Sequence, residues 1–97
     1  MFVVVLKYRK SLEEVDALLP AHVKFLDEQY AQRKFICSGR RNPRIGGVII
    51  ANVNSQAELQ KILEQDPFYK QQAAEYETIE FTPTKMDERF SCFMETE

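Results

Sequence analysis

The sequence predicts an α+β fold in which strands and helices alternate as β-α-β-β-α-β, and three observations carry that expectation. Runs rich in valine, isoleucine and aromatic residues recur four times, within Phe2–Tyr8, Lys34–Arg41, Gly47–Asn54 and Tyr76–Thr82. Two segments with helical spacing of apolar residues stand between them, each opened by the Ser-x-x-Glu pattern of a capping box. The chain has 97 residues and 44% hydrophobic content, which gives room for one ordinary globular domain and no linker.

Each element has a local reason. Phe2-Val3-Val4-Val5-Leu6 is an uninterrupted apolar run, as a central strand should be. Ser11 fits an N-cap with Glu14 at the reciprocal position. Pro20 disfavours helical geometry at Leu19 and suits the first position of a helix, so the sequence predicts a short helix over 12–18 and a longer one from Pro20 to Arg33. Val23, Leu26 and Tyr30, flanked by Phe25, would form its packing face. Phe35, Ile36 and Cys37 lie in a second strand that ends at Ser38-Gly39, with a loop from Arg40 to Gly46. Gly46-Gly47 reads as hairpin geometry before the third strand. Ser55 and Glu58 open the second helix, which presents Leu59, Ile62 and Leu63 and stops near Asp66-Pro67. A further helical turn over Phe68–Ala74 precedes the fourth strand.

This order is the split β-α-β, ferredoxin-like plan. Right-handed crossovers put both helices on one face of a four-stranded antiparallel sheet of order 4-1-3-2. Two helices cover only one face, yet Phe2–Leu6 and Val48-Ile49-Ile50 offer apolar side chains to both. A homodimer packed sheet to sheet is the expected cover for the second face.

Composition narrows the function. Fifteen acidic against thirteen basic side chains leave a net charge of −2, so nucleic acid is not an expected partner. No apolar run approaches the roughly 20 residues of a membrane span, so no membrane partner is expected. The N-terminus shows no secretion signal, and Cys37 and Cys92 are expected as reduced thiols in the cytoplasm, Cys37 as a buried strand residue. There is one histidine and no C-x-x-C, H-x-x-x-H or H-E-x-x-H spacing, so no metal site is expected. Neither glycine-rich phosphate motif occurs, and there is no G-x-S-x-G elbow for a serine nucleophile.

The residues left to carry chemistry are few. His22 would sit in the first turn of the Pro20 helix, where the dipole favours a neutral imidazole able to act as a general base; a histidine at the core edge with no task is the alternative. Asp66 either N-caps the Pro67-Phe68-Tyr69 turn or pairs with a positive group. The plan puts the start of the first helix and the end of the second at opposite ends, unless the Asp-Pro turn folds back. Ser38, Gly39 and Arg40 end the second strand, and Arg40, Arg41 and Arg44 form a positive patch that suits the carboxylate of a small acidic substrate or simply a solvated loop.

In order along the chain, Pro20-Ala21-His22, Ser38-Gly39 and Asp66-Pro67-Phe68 resemble the YciI-like (YCII-related) family of small bacterial proteins. The resemblance covers residues 1–84 and leaves 85–97 as a C-terminal extension. It implies a ferredoxin-like fold dimerising into an α+β barrel, an active site built on His22 and Asp66, and a pocket wall that includes Ser38 and Gly39. A few members of the family are dehydrochlorinases of chlorinated hydroxy-aromatic breakdown products, and the wider superfamily includes muconolactone isomerases. The loop after Gly39 is more basic than the family pattern, and the extension is apolar, with Met86, Phe90, Cys92, Phe93 and Met94.

The expected function is therefore a cofactor-free enzyme of lyase, dehydrochlorinase or isomerase type acting on a small acidic or hydroxy-aromatic metabolite. His22 would move the proton, Asp66 would orient the imidazole, and Ser38, Gly39 and Arg40 would hold the substrate. The alternative is a non-catalytic module of the same fold that binds a small ligand or a protein partner. Binding of RNA on the sheet would need aromatic and basic residues where Val3, Val4, Val5, Val48 and Ile49 stand.

Overall fold

Alternation along the first strand sets the architecture. In the computed structural model, which describes residues 1–94, β1 (Phe2–Tyr8) buries Phe2, Val4 and Leu6 on one face and turns Val3, Val5 and Lys7 to the other. It is flanked by β3 (Gly46–Ala51) and β4 (Ala74–Glu80), and β2 (Phe35–Arg40) closes the opposite edge, giving an antiparallel sheet of order β2-β3-β1-β4. This is the expected 4-1-3-2 order of the ferredoxin-like plan. The register sets Val4 beside Ile49 and Phe2 beside Ala51 on the covered face, with Val3 beside Ile50 and Val5 beside Val48 on the other.

The helices α1 (Leu12–Ala31), α2 (Gln56–Leu63) and α3 (Pro67–Lys70) complete the order. Both capping serines act as the sequence predicts: Ser11 Oγ accepts from the Glu14 amide at 3.2 Å and Ser55 Oγ from the Glu58 amide at 3.1 Å. The Glu58 carboxylate reaches back one residue beyond the cap, to the Asn54 amide.

The two predicted pieces of the first helix are a single helix that runs through Pro20. An interior proline costs about 3 kcal/mol. That cost is offset because Val15, His22, Phe25 and Gln29, on both sides of the proline, share one buried stripe. Tertiary burial outweighs the local preference. The continuous helix also rotates the packing face away from the expected one: Leu26 and Tyr30 are half-buried, and Val23 is 44% exposed.

Strand ends shift slightly. β2 is shorter than expected, with a bulge at Ile36 between the Phe35 and Cys37 pairings. Cys37 is exposed on the open face, so the expectation of a buried thiol does not hold for this chain. Gly46 and Gly47 lie inside β3, not in a hairpin turn. β4 begins two residues earlier than expected and ends at Glu80, although the Phe81 amide still donates to the Met1 carbonyl at 2.9 Å. Beyond it, a 3₁₀ helix (Glu88–Phe93) brings the Phe93 carbonyl to the Asn52 side-chain amide at 2.9 Å. The last three residues of the expected extension, 95–97, lie outside the described residues.

The core fills the space between sheet and helices, with Phe2, Val4, Leu59, Leu63 and Phe68 no more than 2% exposed. The opposite face carries Val3, Val5, Val48 and Ile50 half-buried and Ile79 and Phe81 exposed, and none of α1, α2 and α3 lies on it.

Candidate functional site

Two departures from the simple plan bring His22 and Asp66 together. Because α1 starts at Leu12, His22 lies mid-helix, ten residues after the first, and not in the first turn as the sequence suggests. The chain after α2 makes one tight turn, in which the Asp66 amide donates to the Leu63 carbonyl, and α3 then packs back against α1. His22 Nδ1 and Asp66 Oδ1 are 2.8 Å apart, with Asp66 fully buried.

The N-cap reading of Asp66 holds, and the group it also pairs with is an imidazole. Its Oδ1 caps α3 by accepting from the Phe68 amide at 3.0 Å and is also the oxygen that meets His22. Its Oδ2 accepts from the Tyr76 hydroxyl at 2.6 Å. Three donors on three elements thus satisfy a carboxylate that is fully buried. Burial, reinforced by the negative charge of Asp66, pushes the Tyr76 phenol well above the ordinary tyrosine value, so Tyr76 stays a donor. With the carboxylate on Nδ1, the imidazole keeps its proton there and leaves Nε2 as the basic nitrogen. The ring is fixed from the side as well, stacked on Phe68 at 4.0 Å between centroids and 9° between planes.

His22 lines a cavity of about 230 Å³ between α1, α3 and the β1-β3-β2 side of the sheet. Leu6, Leu19, Leu26, Ile49 and Phe68 make its walls apolar, while Tyr8, Ser38, Arg40 and Arg44 supply polar groups. All the predicted site residues except Asp66 therefore line one cavity, and Asp66 stands behind His22. Ser38 is held by Tyr30, whose hydroxyl is 2.6 Å from Ser38 Oγ. Gly39 lies where an added Cβ would meet nothing within 4 Å, so the fold itself does not demand glycine there.

The arginine patch divides. Arg40 and Arg44 line the cavity, whereas Arg41 belongs to a depression on the open face with Val5, Lys7 and Glu77. Arg44 Nη2 donates to Asp16 on α1, and this hydrogen bond holds the Asp16 carboxyl below the usual carboxylate range, with Arg40 adding a weaker pull. Among the described residues, no group of three or more His, Cys, Asp or Glu could hold a metal ion. No helix there is long and apolar enough to cross a membrane.

Sequence reading missed Tyr76 and Asp16. Tyr76 was legible only as a strand residue, because its partner depends on the β1–β4 register that sets it beside Leu6 on the helix-covered side. Asp16 was legible only as one of the acids of the first helix.

A search of curated proteins finds no match. Among solved structures, the chain is similar to 5-chloro-2-hydroxyhydroquinone dehydrochlorinase (TftG) from Burkholderia phenoliruptrix AC1100, determined in complex with 2,5-dihydroxybenzoquinone. The TM-score is 0.68 at 19% identity, over 84% of this chain and 94% of that one. At that identity the likeness speaks for the fold. The YCII-related domain matches residues 1–82, which take in all four strands and α1, α2 and α3. The chain belongs to the YCII-related domain family.

Proposed function

We propose that the chain is a small cofactor-free enzyme of the lyase, dehydrochlorinase or isomerase type, acting on a small acidic or hydroxy-aromatic metabolite. The observation that carries this reading is the 2.8 Å contact between His22 Nδ1 and a fully buried Asp66, set at the wall of an apolar cavity. The arrangement suits general base catalysis: Nε2 takes a proton from a carbon or hydroxyl of the bound substrate, and Asp66 orients the ring and faces the charge it acquires. In a dehydrochlorination, the electron pair left by the proton forms the new double bond as chloride leaves. In an isomerisation, the same proton returns to a different carbon. Ser38 and Arg40 hold the polar end of the substrate, and Gly39 forms part of the wall beside it. The similarity to a dehydrochlorinase that binds a dihydroxybenzoquinone supports this substrate class.

The unpartnered apolar face of the sheet supports a homodimer packed through Val3, Val5, Val48 and Ile50. Sedimentation at low micromolar concentration should give twice the chain mass, and a stable monomer would remove the dimer. Two unpaired cysteines agree with a cytoplasmic protein.

One observation favours the non-catalytic alternative: His22 is only 8% exposed and stacked on Phe68, as a histidine with a purely structural task would be. Turnover of a panel of chlorinated hydroxy-aromatics by wild type and His22→Ala separates the two. We expect the variant to lose at least about a hundredfold in rate; equal rates would take His22 out of the chemistry.

A further inference from the structure

We propose that the cavity selects a small planar anion, a carboxylate or phenolate borne on a single ring, and that Arg44 is the residue that selects it, with Asp16 as its resident counter-ion. The inference deepens the proposed reaction and rests on it only for the use of this cavity by a small molecule.

Charge comes first. The lining holds two guanidinium groups, Arg40 and Arg44, and no carboxylate. Asp66 is screened behind His22, and Asp16 lies outside the lining with its side chain 53% exposed. A cavity with positive charge in its wall and apolar surface around it favours an anionic occupant.

Arg44 is also incompletely satisfied. Its outer nitrogen Nη2 is held by Asp16, but its Nε is shielded from solvent and finds no acceptor, alone in this among the buried side-chain nitrogens and oxygens of the described residues. Buried donors without partners are rare in native proteins, and the Tyr8 hydroxyl is the other polar group that meets this guanidinium. Arg44 lines the cavity, and its guanidinium fork is built to take a planar carboxylate bound there. Asp16 then competes with the ligand for the same cation.

Size limits the rest of the molecule. Cavities of about 150 Å³ lined by aliphatic side chains admit benzene, so about 230 Å³ holds one ring with its substituents. Leu19, Leu26 and Phe68 offer the flat apolar contact such a ring needs.

The test uses benzoate as probe and benzyl alcohol as its neutral counterpart. Binding is followed through the imidazole C–H signals of His22, the only histidine in the chain. Wild type should bind benzoate about tenfold more tightly than benzyl alcohol, and Arg44→Met should cut that preference to about threefold or less, the part that Arg40 alone supplies. Asp16→Asn, which keeps the side-chain shape, should tighten benzoate about threefold by removing the competitor. No saturable benzoate binding, an unchanged preference in Arg44→Met, or weaker binding in Asp16→Asn would each overturn the proposal. The comparison of rates with His22→Ala can fail while this anion preference stands, and the preference can fail while His22 remains essential.

Discussion

Replacing Asp66 by alanine removes one carboxylate and strands three donors at once: the His22 imidazole, the Phe68 amide and the Tyr76 hydroxyl. Loss of an N-cap costs about 1 kcal/mol, and each hydrogen bond to a charged group contributes about 1.5–3 kcal/mol. These do not add in full, because the variant no longer buries a charge; removing one partner of a buried pair costs about 3–5 kcal/mol as a whole. Asp66 is 0% exposed, so solvent cannot take over the lost acceptor. We therefore expect Asp66→Ala to lose about 3–5 kcal/mol, a large share of the 5–15 kcal/mol that holds a typical domain together. Asp66→Asn keeps one acceptor oxygen and should lose about half as much or less. Urea unfolding at one fixed protein concentration measures both, the concentration being fixed because any self-association would add to apparent stability. The same samples report the imidazole tautomer through the ring nitrogen signals, with the proton on Nδ1 in wild type and a mixture of tautomers in Asp66→Asn. An Asp66→Ala variant within about 1 kcal/mol of wild type would refute the view that this carboxylate ties the three elements together.

Three further perturbations probe other parts of the argument. The raised Tyr76 phenol gives a signed pH effect: its contribution is complete below the unfolded-state value near 10 and declines as pH rises past it, so wild-type stability should fall more steeply than that of Tyr76→Phe above pH 10, by up to about 1.4 kcal/mol per pH unit. Parallel urea curves at pH 7 to 11 would show it, and equal slopes would count against the buried phenol. At Gly46 an added Cβ would stand 1.7 Å from the Leu6 carbonyl oxygen, a backbone atom that cannot step aside, so Gly46→Ala should cost about 3 kcal/mol; a melting temperature unchanged from wild type would contradict this. Val5→Glu puts a charge at the centre of the open face and should yield a monomer in sedimentation, with its circular dichroism unaltered.

What could be read from the sequence divides along the range of the interactions. The capping serines Ser11 and Ser55 were legible because each cap is settled within four residues. The strand order was legible because handedness leaves few ways to connect these elements. Pro20 misled because its local preference is real but smaller than the burial of Val15 and Phe25 on either side of it. Val23 was misplaced for the same reason, since the buried stripe continues from Val15 and does not restart at Pro20. Cys37 was misjudged because the pleat turns it to the face that one chain leaves uncovered. The encounter of His22 with Asp66, 44 positions apart, has no local signature at all. It depends on a helix that ignores its proline and on a turn that folds a second helix back, and only the family resemblance pointed to the pair.

The double duty of Asp66 Oδ1 ties the site to the local dynamics of the chain. The oxygen that receives the Phe68 amide is the one that holds the imidazole, so any opening of the Asp66–Pro67 turn also releases His22. The Phe68 amide proton thereby becomes an internal clock: its exchange with solvent deuterium counts the moments at which the imidazole is unrestrained. A ligand that needs a fixed ring must slow that clock, even where it touches neither Asp66 nor Phe68.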